Sequence, residues 1–439
     1  MKDIALIQPR DPMLDTQMYD TLVMASLEMP PIGLCYLATV LRDLGYSVEL
    51  IDFNIVPDVA ERERTIEQVI SWGPRIVGIS TMTPTYPGAV EISKQVRKSL
   101  GNRTKILMGG YHATALPEEC LRTFAADIVV KGEGEEVMPK LAELLLNGGK
   151  DSCLTAVDGI SYRDKDGNII HNPPKIVRLF DLDRLPFPDR DLVNHIEKYR
   201  SPASITSTRG CPARCIFCAA GGWGCVASRS PENVVDEVEF VINKYGFRNL
   251  YFVDNVFTVD KDRTMRILTL MRQRNLKIGF ALEARAPTVD KDLIRAMADA
   301  GCIGIQFGVE SGNPEVLTKI KKGITLQQVD NAVQLCLQYG IRPLCSFIIG
   351  HPFDDRETVR DTINYAKKLK RQGALVVFAV LDVYPGTEIF DRRDELGVSI
   401  IDPDFSRWTG GQRVLRTKHL SSEELRRLHR EALCEVAAI

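Results

Sequence analysis

The chain has 439 residues, enough for two hydrophobic cores. Apolar residues make up 44% and charged residues 26%, an average globular composition that excludes long-range disorder. The 56 Lys and Arg residues nearly balance the 58 Asp and Glu residues, so nothing marks a nucleic-acid or membrane-surface binder. The 11 cysteines are too dilute for a disulfide scaffold, and the sequence shows neither a signal peptide nor an apolar stretch of membrane-spanning length. We therefore expect a cytoplasmic protein with reduced cysteines.

Residues 1–150 alternate short β-rich runs with helical patterns, and five such βα units predict an open, doubly wound, Rossmann-like sheet. Sheets of this kind bind ligands at the carboxyl ends of their strands. Gly132 and Gly134 form only a weak dinucleotide fingerprint, because a third glycine is absent and the pair follows the fifth predicted strand. The predicted strands are 4–7, 47–51, 76–79, 105–108 and 127–130, and the predicted helices lie near 32–44, 63–72, 86–100, 116–125 and 134–147.

Residues 151–198 are predicted to connect this domain to the next one. The Asp-Gly pair at 166–167 lies between two β-rich runs and predicts a hairpin turn. Prolines at 173, 174, 186 and 188 follow, and they predict a stiff, extended crossing into the second domain.

Cys211, Cys215 and Cys218 form a C-x3-C-x2-C cluster, a spacing that a random chain of this composition would contain about 0.007 times. Three thiolates on so short a loop can converge on one metal centre. A structural zinc needs four ligands, and no histidine lies within ten residues, so Cys225 is the only nearby fourth sulfur. An iron–sulfur cluster held by three cysteines keeps one iron open for chemistry. The spacing therefore favours a cluster over zinc or redox thiols.

This loop, with Phe217 before its last cysteine, resembles that of the radical S-adenosylmethionine (SAM) enzymes. The resemblance implies a [4Fe–4S] cluster on the three cysteines, whose open iron binds the amino and carboxylate groups of SAM. It also implies that an electron from the cluster cleaves SAM to methionine and a 5′-deoxyadenosyl radical, which takes hydrogen from substrate. An electron donor such as flavodoxin or ferredoxin is expected as a partner.

Downstream of this loop, strand-like and helix-like segments alternate, which predicts a parallel sheet with outer helices. Six strands suit the partial (β/α)6, TIM-like barrel that the resemblance implies for residues 199–400. The predicted strands are 203–207, 249–254, 278–283, 303–309, 343–349 and 375–380, and the predicted helices are 261–275, 290–300, 326–339 and 356–371.

Polar residues follow several of these strands, where function collects in such folds. The segments 301–312, 348–352 and 384–387 look like motifs of radical SAM enzymes that carry a cobalamin-binding domain. His351 stands where family members usually have an apolar residue, and it is predicted to be a substrate contact or proton donor, with a solvated loop histidine as the alternative. By position, the resemblance implies that SAM is held by Phe217, Asp254, Glu283, Arg285, Gln306, Glu310 and Ser311.

Residues 30–46, with the glycine-rich segments 109–112 and 132–135, resemble the cobalamin-binding domain fused to radical SAM barrels. The resemblance implies cobalamin laid over the strand ends. The Asp-x-His-x-x-Gly signature is absent, so cobalt is expected to lack a lower histidine ligand from that motif. A vestigial domain without cobalamin is the alternative. The predicted cobalamin contacts are Ser80, Thr81, Thr83, Gly109, Gly110, Tyr111, His112, Gly132, Glu133 and Gly134.

Residues 401–439 predict a short Arg-rich tail whose helix opens at Ser421 and covers the barrel. The eight cysteines outside the trio share no spacing, and buried reduced thiols are expected for them. Among these eight, Cys225 and Cys302 are predicted to lie near the site.

The preferred hypothesis is a cobalamin-dependent radical SAM methyltransferase that acts on an unactivated carbon, or more rarely phosphorus, of a small molecule or natural-product intermediate. As the family implies, one SAM methylates cobalt, a second gives the radical, and the substrate radical takes methyl from methylcobalamin. One alternative keeps both domains but catalyses a cyclisation, rearrangement, dehydration or deoxygenation. Another is a cobalamin-binding sensor or carrier with a degenerate barrel, although the intact cysteine trio argues against it.

Overall fold

The computed structural model describes residues 2–15, 29–149, 151–199, 203–220, 225–405 and 415–439. The chain forms two compact α/β units, and each is described by itself. The first comprises Met1–Leu179, Arg184–Pro202 and Asp404–Gln412, and the second comprises Phe180–Asp183, Ala203–Pro403 and Arg413–Ile439. No helix within the described ranges has both the length and the apolar character needed to cross a bilayer.

A seven-stranded sheet lies at the centre of the first unit, in the order β2-β1-β3-β4-β5-β6-β7. Its first five strands in sequence pair in parallel, which confirms the predicted doubly wound sheet. Strand order reverses between β1 and β3, and open sheets of this class form their ligand crevice at such a switch point. The strands are β1 (Ile4–Gln8), β2 (Val48–Asp52), β3 (Ile76–Ser80), β4 (Lys105–Gly109), β5 (Ile128–Val130), β6 (Ile160–Arg163) and β7 (Ile169–His171).

The hairpin predicted for the connector is part of this sheet and not a separate segment. Strand β6 pairs antiparallel with β5, and β7 pairs antiparallel with β6. Ile128 lies opposite Tyr162 and Val130 opposite Ile160, and all four side chains are buried. The hairpin therefore covers an apolar edge strand that would otherwise expose unpaired backbone groups.

The helices of the first unit follow the prediction except at two places. The helix predicted from residue 63 begins at Val59, because the Asp58 side chain accepts a hydrogen bond from the Glu61 amide and caps that end. A short helix directly after Gly110 was not predicted. The helices are α1 (Ile32–Asp43), α2 (Val59–Trp72), α3 (Tyr86–Leu100), α4 (Tyr111–Ala115), α5 (Pro117–Thr123) and α6 (Val137–Leu146).

A six-stranded parallel sheet forms the second unit, with its strands in chain order and β8 and β15 at the two edges. This confirms the predicted partial (β/α)6 barrel. Two short strands, β9 (Thr208–Arg209) and β10 (Ala227–Ser228), pair on either side of the cysteine loop. The barrel strands are β8 (Ser204–Ile205), β11 (Asn249–Phe252), β12 (Gly279–Ala284), β13 (Cys302–Glu310), β14 (Arg342–Ile349) and β15 (Leu375–Val380).

Helices lie between the barrel strands, and the tail helix packs against the barrel as predicted. The tail helix has a capping box at Ser421, and Glu435 near its end pairs with Lys367 at 2.8 Å and with Arg360. His429 Nε2 donates to the carbonyl oxygen of Phe378 at 3.2 Å. The helices are α7 (Pro231–Tyr245), α8 (Lys261–Gln273), α9 (Lys291–Asp299), α10 (Pro314–Lys319), α11 (Leu326–Gln338), α12 (Arg356–Gln372), α13 (Glu388–Asp391) and α14 (Ser422–Ala437).

The two faces of the barrel strands differ in chemistry, because successive side chains of a strand point to opposite sides. One face is large and apolar and joins the core under the helices, as Ile305, Phe307 and Val309 do on β13. The alternate positions of the same strand are small or polar: Gly304, Gln306 and Gly308. The second face therefore leaves space inside the barrel.

Candidate active site

The cysteine loop is fixed at its centre by Ile216, whose side chain is buried in the barrel core. The Ile216 amide donates to the carbonyl oxygen of Ile320 at 3.2 Å, and the Ile216 carbonyl accepts from the Ile389 amide at 3.0 Å. Cys211 and Cys215 are buried and Cys218 is half-buried. Two neighbouring segments of the unit thus position the loop through its backbone.

Asp254, predicted to contact SAM, anchors the chain just ahead of this loop. Its fully buried carboxylate accepts hydrogen bonds from the Ser207 amide and hydroxyl, both at 2.7 Å, and from the Thr208 amide. Arg263 donates to the Ser207 carbonyl at 2.9 Å. Burial raises the pKa of Asp254, while these hydrogen bonds oppose the rise. The contacts make Asp254 a support for the cysteine loop, and a direct contact with SAM stays a prediction.

Glu310 and Lys322 form a buried ion pair at the carboxyl end of β13. Lys322 Nζ lies 2.6 Å from Glu310 Oε1, and each side chain is only 8% exposed. Gly308 makes room for the pair, because a Cβ there would lie 2.5 Å from Glu310 Oε1 and 2.7 Å from Lys322 Nζ. Glu310 itself has a left-handed backbone, with φ of 69°. Lys322 was missed in the sequence because it lies in a lysine-rich segment typical of a solvated surface.

Lys322 also joins the pair to Phe217 and His351. Its ammonium lies 5.9 Å from the centre of the Phe217 ring, and that ring lies 5.4 Å from the His351 ring. His351 is fully buried, so the alternative of a solvated loop histidine is wrong. Neither of its ring nitrogens has a hydrogen-bond partner among the described residues. Burial, with a smaller contribution from Lys322, lowers the pKa of His351 to about 3 and keeps the imidazole neutral.

Arg285 follows β12, and its guanidinium contacts the cysteine loop. Nη1 donates to Cys215 Sγ at 3.8 Å, and Nη2 donates to the carbonyl oxygens of Lys322 and Gly323. Glu283, two residues earlier, accepts a hydrogen bond from the Tyr251 hydroxyl at 3.2 Å. Burial raises the pKa of Glu283. The structure thus brings four predicted residues, Phe217, Glu283, Arg285 and Glu310, towards the same strand ends.

Two other residues that were predicted to contact SAM, Gln306 and Ser311, have different surroundings from these four. Gln306 is half-buried beside Glu283 on the neighbouring strand, four residues before Glu310. Ser311 is fully buried, and its hydroxyl lies 3.1 Å from Thr362 Oγ1 and accepts from the Asn313 amide. Ser311 is therefore engaged with helix α12.

Cys302 and Cys225, the two further cysteines that were predicted to lie near the site, differ in position. Cys302 begins β13, at the strand end opposite to Glu310, so the expectation that it lies near the site is wrong. Burial raises the pKa of its thiol, as expected for a structural cysteine. Cys225 is half-buried and follows the stretch 221–224, which lies outside the described residues.

The donor set of the loop fits an iron–sulfur cluster. Three thiolates suit a four-iron cluster that keeps one iron open, and Cys211, Cys215 and Cys218 would hold it. Within the described ranges, no three His, Cys, Asp or Glu side chains converge as the ligands of one ion would. Mononuclear structural zinc would need a fourth ligand beside these three thiolates, and the nearest further cysteine in the sequence is Cys225.

In the first unit, polar groups lie at the carboxyl ends of β3 and β4. His112 is buried, its Nδ1 lies 3.0 Å from Thr83 Oγ1, and burial lowers its pKa to about 3. In the described part of the unit, His112 Nε2 and the buried Thr81 hydroxyl have no partner. Gly110, with φ of 96°, allows a close approach, since a Cβ would lie 2.7 Å from the Thr81 carbonyl oxygen. Half-buried at the same strand ends are Ser80, Gly109 and Tyr111.

The glycine-rich loop after β5 contacts the connector. A Cβ at Gly132 would lie 2.3 Å from the Val177 carbonyl oxygen, and the Glu133 amide donates to that oxygen at 3.0 Å. A Cβ at Gly134 would lie 3.1 Å from Leu37. These residues support the unit's own packing, and their contact with cobalamin stays a prediction. Orphaned polar atoms that suit a bulky polar ligand are found instead at Thr81 and His112.

The comparisons with known proteins agree with this arrangement. The Radical SAM superfamily model matches residues 205–366, and the B12 binding domain model matches residues 21–142. An uncharacterized methyltransferase of Pyrococcus horikoshii is 32% identical over 92% of this chain and 86% of its own length. The chain belongs to the radical SAM superfamily. Its radical SAM domain implies SAM and a [4Fe–4S] cluster, and its B12-binding domain implies cobalamin.

Two further similarities concern activity and fold. The anaerobic magnesium-protoporphyrin IX monomethyl ester cyclase of Rubrivivax gelatinosus is 26% identical over 90% of this chain and 71% of its own length. A structure of the radical SAM methyltransferase TsrM from Kitasatospora setae, with cobalamin and a [4Fe–4S] cluster bound, matches with a TM-score of 0.77 at 19% identity. That match covers 100% of this chain and 89% of the other, and it shows the shared fold.

Proposed function

We propose that this cobalamin-dependent radical SAM enzyme transfers a methyl group to an unactivated carbon of a small molecule or natural-product intermediate. The observation that carries the proposal is the 32% identity to a methyltransferase across 92% of the chain, which spans both cofactor-binding regions. When bound, the cluster and SAM supply a hydrogen-abstracting radical and cobalamin supplies the methyl group. The chain's own residues bind, orient and shield the reactants.

The carboxyl ends of the barrel strands would hold the cluster and SAM. Three thiolates of the cysteine loop ligate the cluster. The buried pair of Glu310 and Lys322 presents one negative and one positive group, which complement the amino and carboxylate groups of SAM. Gly308 keeps the space beside this pair open. Glu283 and Gln306 lie opposite one another on adjacent strands and would complete the polar lining of the SAM site.

His351 is proposed as a hydrogen-bonding contact to substrate. Its low pKa makes it neutral at physiological pH, so the ring presents one donor nitrogen and one acceptor nitrogen. A neutral imidazole with a pKa of about 3 is a poor general acid near pH 7, which disfavours the proton-donor alternative. Two unpartnered nitrogens in a buried site destabilise the free protein, and a ligand that satisfies them gains the corresponding free energy.

Cobalamin is proposed to contact the first unit at the ends of β3 and β4. The Thr81 hydroxyl and His112 Nε2 offer hydrogen bonds to its polar groups. Gly110 lets the backbone approach closely, as a bulky ligand requires. The vestigial-domain alternative predicts no binding, so a visible absorption titration with hydroxocobalamin separates the two.

A second candidate is a radical reaction without methyl transfer. The 26% identity to the monomethyl ester cyclase over 90% of the chain favours it. The sensor or carrier alternative has no comparable support, because the chain belongs to an enzyme superfamily and retains its cysteine trio.

The two candidates differ in where the SAM methyl group goes. The reconstituted enzyme, loaded with hydroxocobalamin and reduced by titanium(III) citrate, is incubated anaerobically with methyl-deuterated SAM and a library of small metabolites. Methyl transfer gives a labelled product together with S-adenosylhomocysteine and 5′-deoxyadenosine. Substrate conversion with 5′-deoxyadenosine alone, and no labelled product, would overturn the methyltransferase proposal in favour of the second candidate.

The cluster assignment is tested separately. Anaerobic reconstitution should give roughly four iron and four sulfide per chain. Cys215→Ala should lose the cluster and 5′-deoxyadenosine formation, whereas Cys434→Ala, at an exposed cysteine of the tail helix, should retain both. A Cys215→Ala protein with wild-type iron content and activity would contradict the assignment.

A further inference from the structure

Arg285 is tied to the cysteine loop on one side and to the segment after α10 on the other. One nitrogen of its guanidinium donates to Cys215 Sγ at 3.8 Å. The other donates to the carbonyl oxygens of Lys322 and Gly323. Since a planar guanidinium held at two sides has little freedom to turn, its N–H groups are preorganised towards the sulfur.

Two backbone donors of the cysteine loop are already used. The Ile216 amide donates to Ile320 and the Cys218 amide donates to the carbonyl oxygen of Cys215 at 3.1 Å. Both backbone N–H groups therefore have oxygen atoms as their acceptors. The guanidinium of Arg285 is the charged donor that the fold places on this thiol.

We propose that Arg285 is a positioning residue of the iron–sulfur cluster, which donates an N–H···S hydrogen bond to the Cys215 thiolate and raises the cluster's reduction potential. This role goes beyond a SAM contact and rests on the proposed function, because it takes Cys215 as a ligand. Reduction adds one electron from an external donor and forms or breaks no bond. The added negative charge is stabilised by a hydrogen bond and a positive charge at the ligand sulfur.

The test compares cluster potentials without SAM. Wild type, Arg285→Met and Arg285→Lys are reconstituted anaerobically, assayed for iron and sulfide, and titrated with dithionite and redox mediators while the reduced cluster is followed by electron paramagnetic resonance. Arg295→Met, at an exposed arginine of α9, is the matched control. We expect the potential of Arg285→Met to fall, that of Arg285→Lys to fall less because the charge remains, and that of the control to equal wild type.

A wild-type potential in Arg285→Met at full cluster content would overturn the inference. If Arg285→Met loses its cluster, Arg285→Gln replaces it as the neutral variant, with the same two outcomes. Weaker SAM binding by Arg285→Met with an unchanged SAM-free potential would also overturn the inference, since Arg285 would then act only on SAM. Wild type without any cluster would instead refute the proposed function, and this inference with it.

Discussion

Lys322 offers the most direct test of how much the buried charges stabilise the candidate site. Replacing it by methionine keeps a long apolar side chain but removes the ammonium that lies 2.6 Å from Glu310 Oε1. The Glu310 carboxylate would then stay buried without its partner, close to Glu283, whose pKa is already raised by burial and, to a smaller degree, by Glu310 itself. Because two buried acidic side chains would then lack the positive charge of the lysine, the free energy of unfolding should fall.

The magnitude follows from the burial of the pair. With each side chain only 8% exposed, solvent screens the interaction little, and removal of one partner from a buried pair typically costs about 3–5 kcal/mol. In a domain of this size each kcal/mol lowers Tm by about 2–4 °C, so the expected loss is on the order of 10 °C.

The assay is thermal unfolding of the full chain by circular dichroism, in which the two units can unfold in separate transitions. We expect Lys322→Met to lower only the transition of the second unit. The double variant Lys322→Met/Glu310→Gln should recover part of the loss, because the unpaired charge is gone. Lys319→Met is the control, since Lys319 pairs with Glu315 on the exposed surface, where such pairs contribute little.

A loss below about 2 °C in Lys322→Met, or strictly additive effects in the double variant, would refute the coupling, because a shift that small corresponds to about 1 kcal/mol or less.

Three further predictions follow from single buried groups. Asp254→Asn should lower the iron content after reconstitution, because an amide cannot accept all the hydrogen bonds that Ser207 and Thr208 donate to the carboxylate. His351→Leu should stabilise the free protein by about 1–3 kcal/mol while lowering substrate turnover, because two unpartnered nitrogens are removed together with the proposed contact. Burial raises the pKa of Asp52 from 3.8 to about 6, so protonation of Asp52 favours the folded state. Its contribution to stability is complete below pH 3.8 and is lost as the pH rises through 6. The wild-type first unit should therefore lose up to about 3 kcal/mol of unfolding free energy between pH 4 and pH 7, and Asp52→Asn should remove this loss.

Each of these has a result that would contradict it. Unchanged iron content in Asp254→Asn would mean that the carboxylate does not support the cysteine loop. Lower stability in His351→Leu would mean that the imidazole nitrogens have partners in solution. An equal pH dependence of unfolding in wild type and Asp52→Asn would mean that Asp52 does not titrate in this range.

The fold was largely predictable because its signals are local. Short β-rich runs separated by amphipathic helices predicted every parallel strand of both sheets. Strand β13 extends beyond its predicted range by one residue at each end, and β14 by one residue at its start. Helix α7 was not predicted, because its valine-rich stretch is equally compatible with a strand. The hairpin was predicted as a connector, since its pairing with β5 depends on residues far apart in sequence.

The candidate site likewise has features that the sequence predicted and features that depend on the tertiary structure. The spacing of Cys211, Cys215 and Cys218 depends on adjacent residues, so the sequence alone identified the superfamily and predicted the cofactors and the loop that would hold the cluster. Lys322 and the burial of His351 were decided only by the tertiary structure, because charge and exposure depend on which strand ends and loops come together. Arg285 illustrates the difference: its position after a barrel strand was readable in the sequence, but its contact with the Cys215 sulfur exists only because the barrel brings residues 70 positions apart within hydrogen-bond distance.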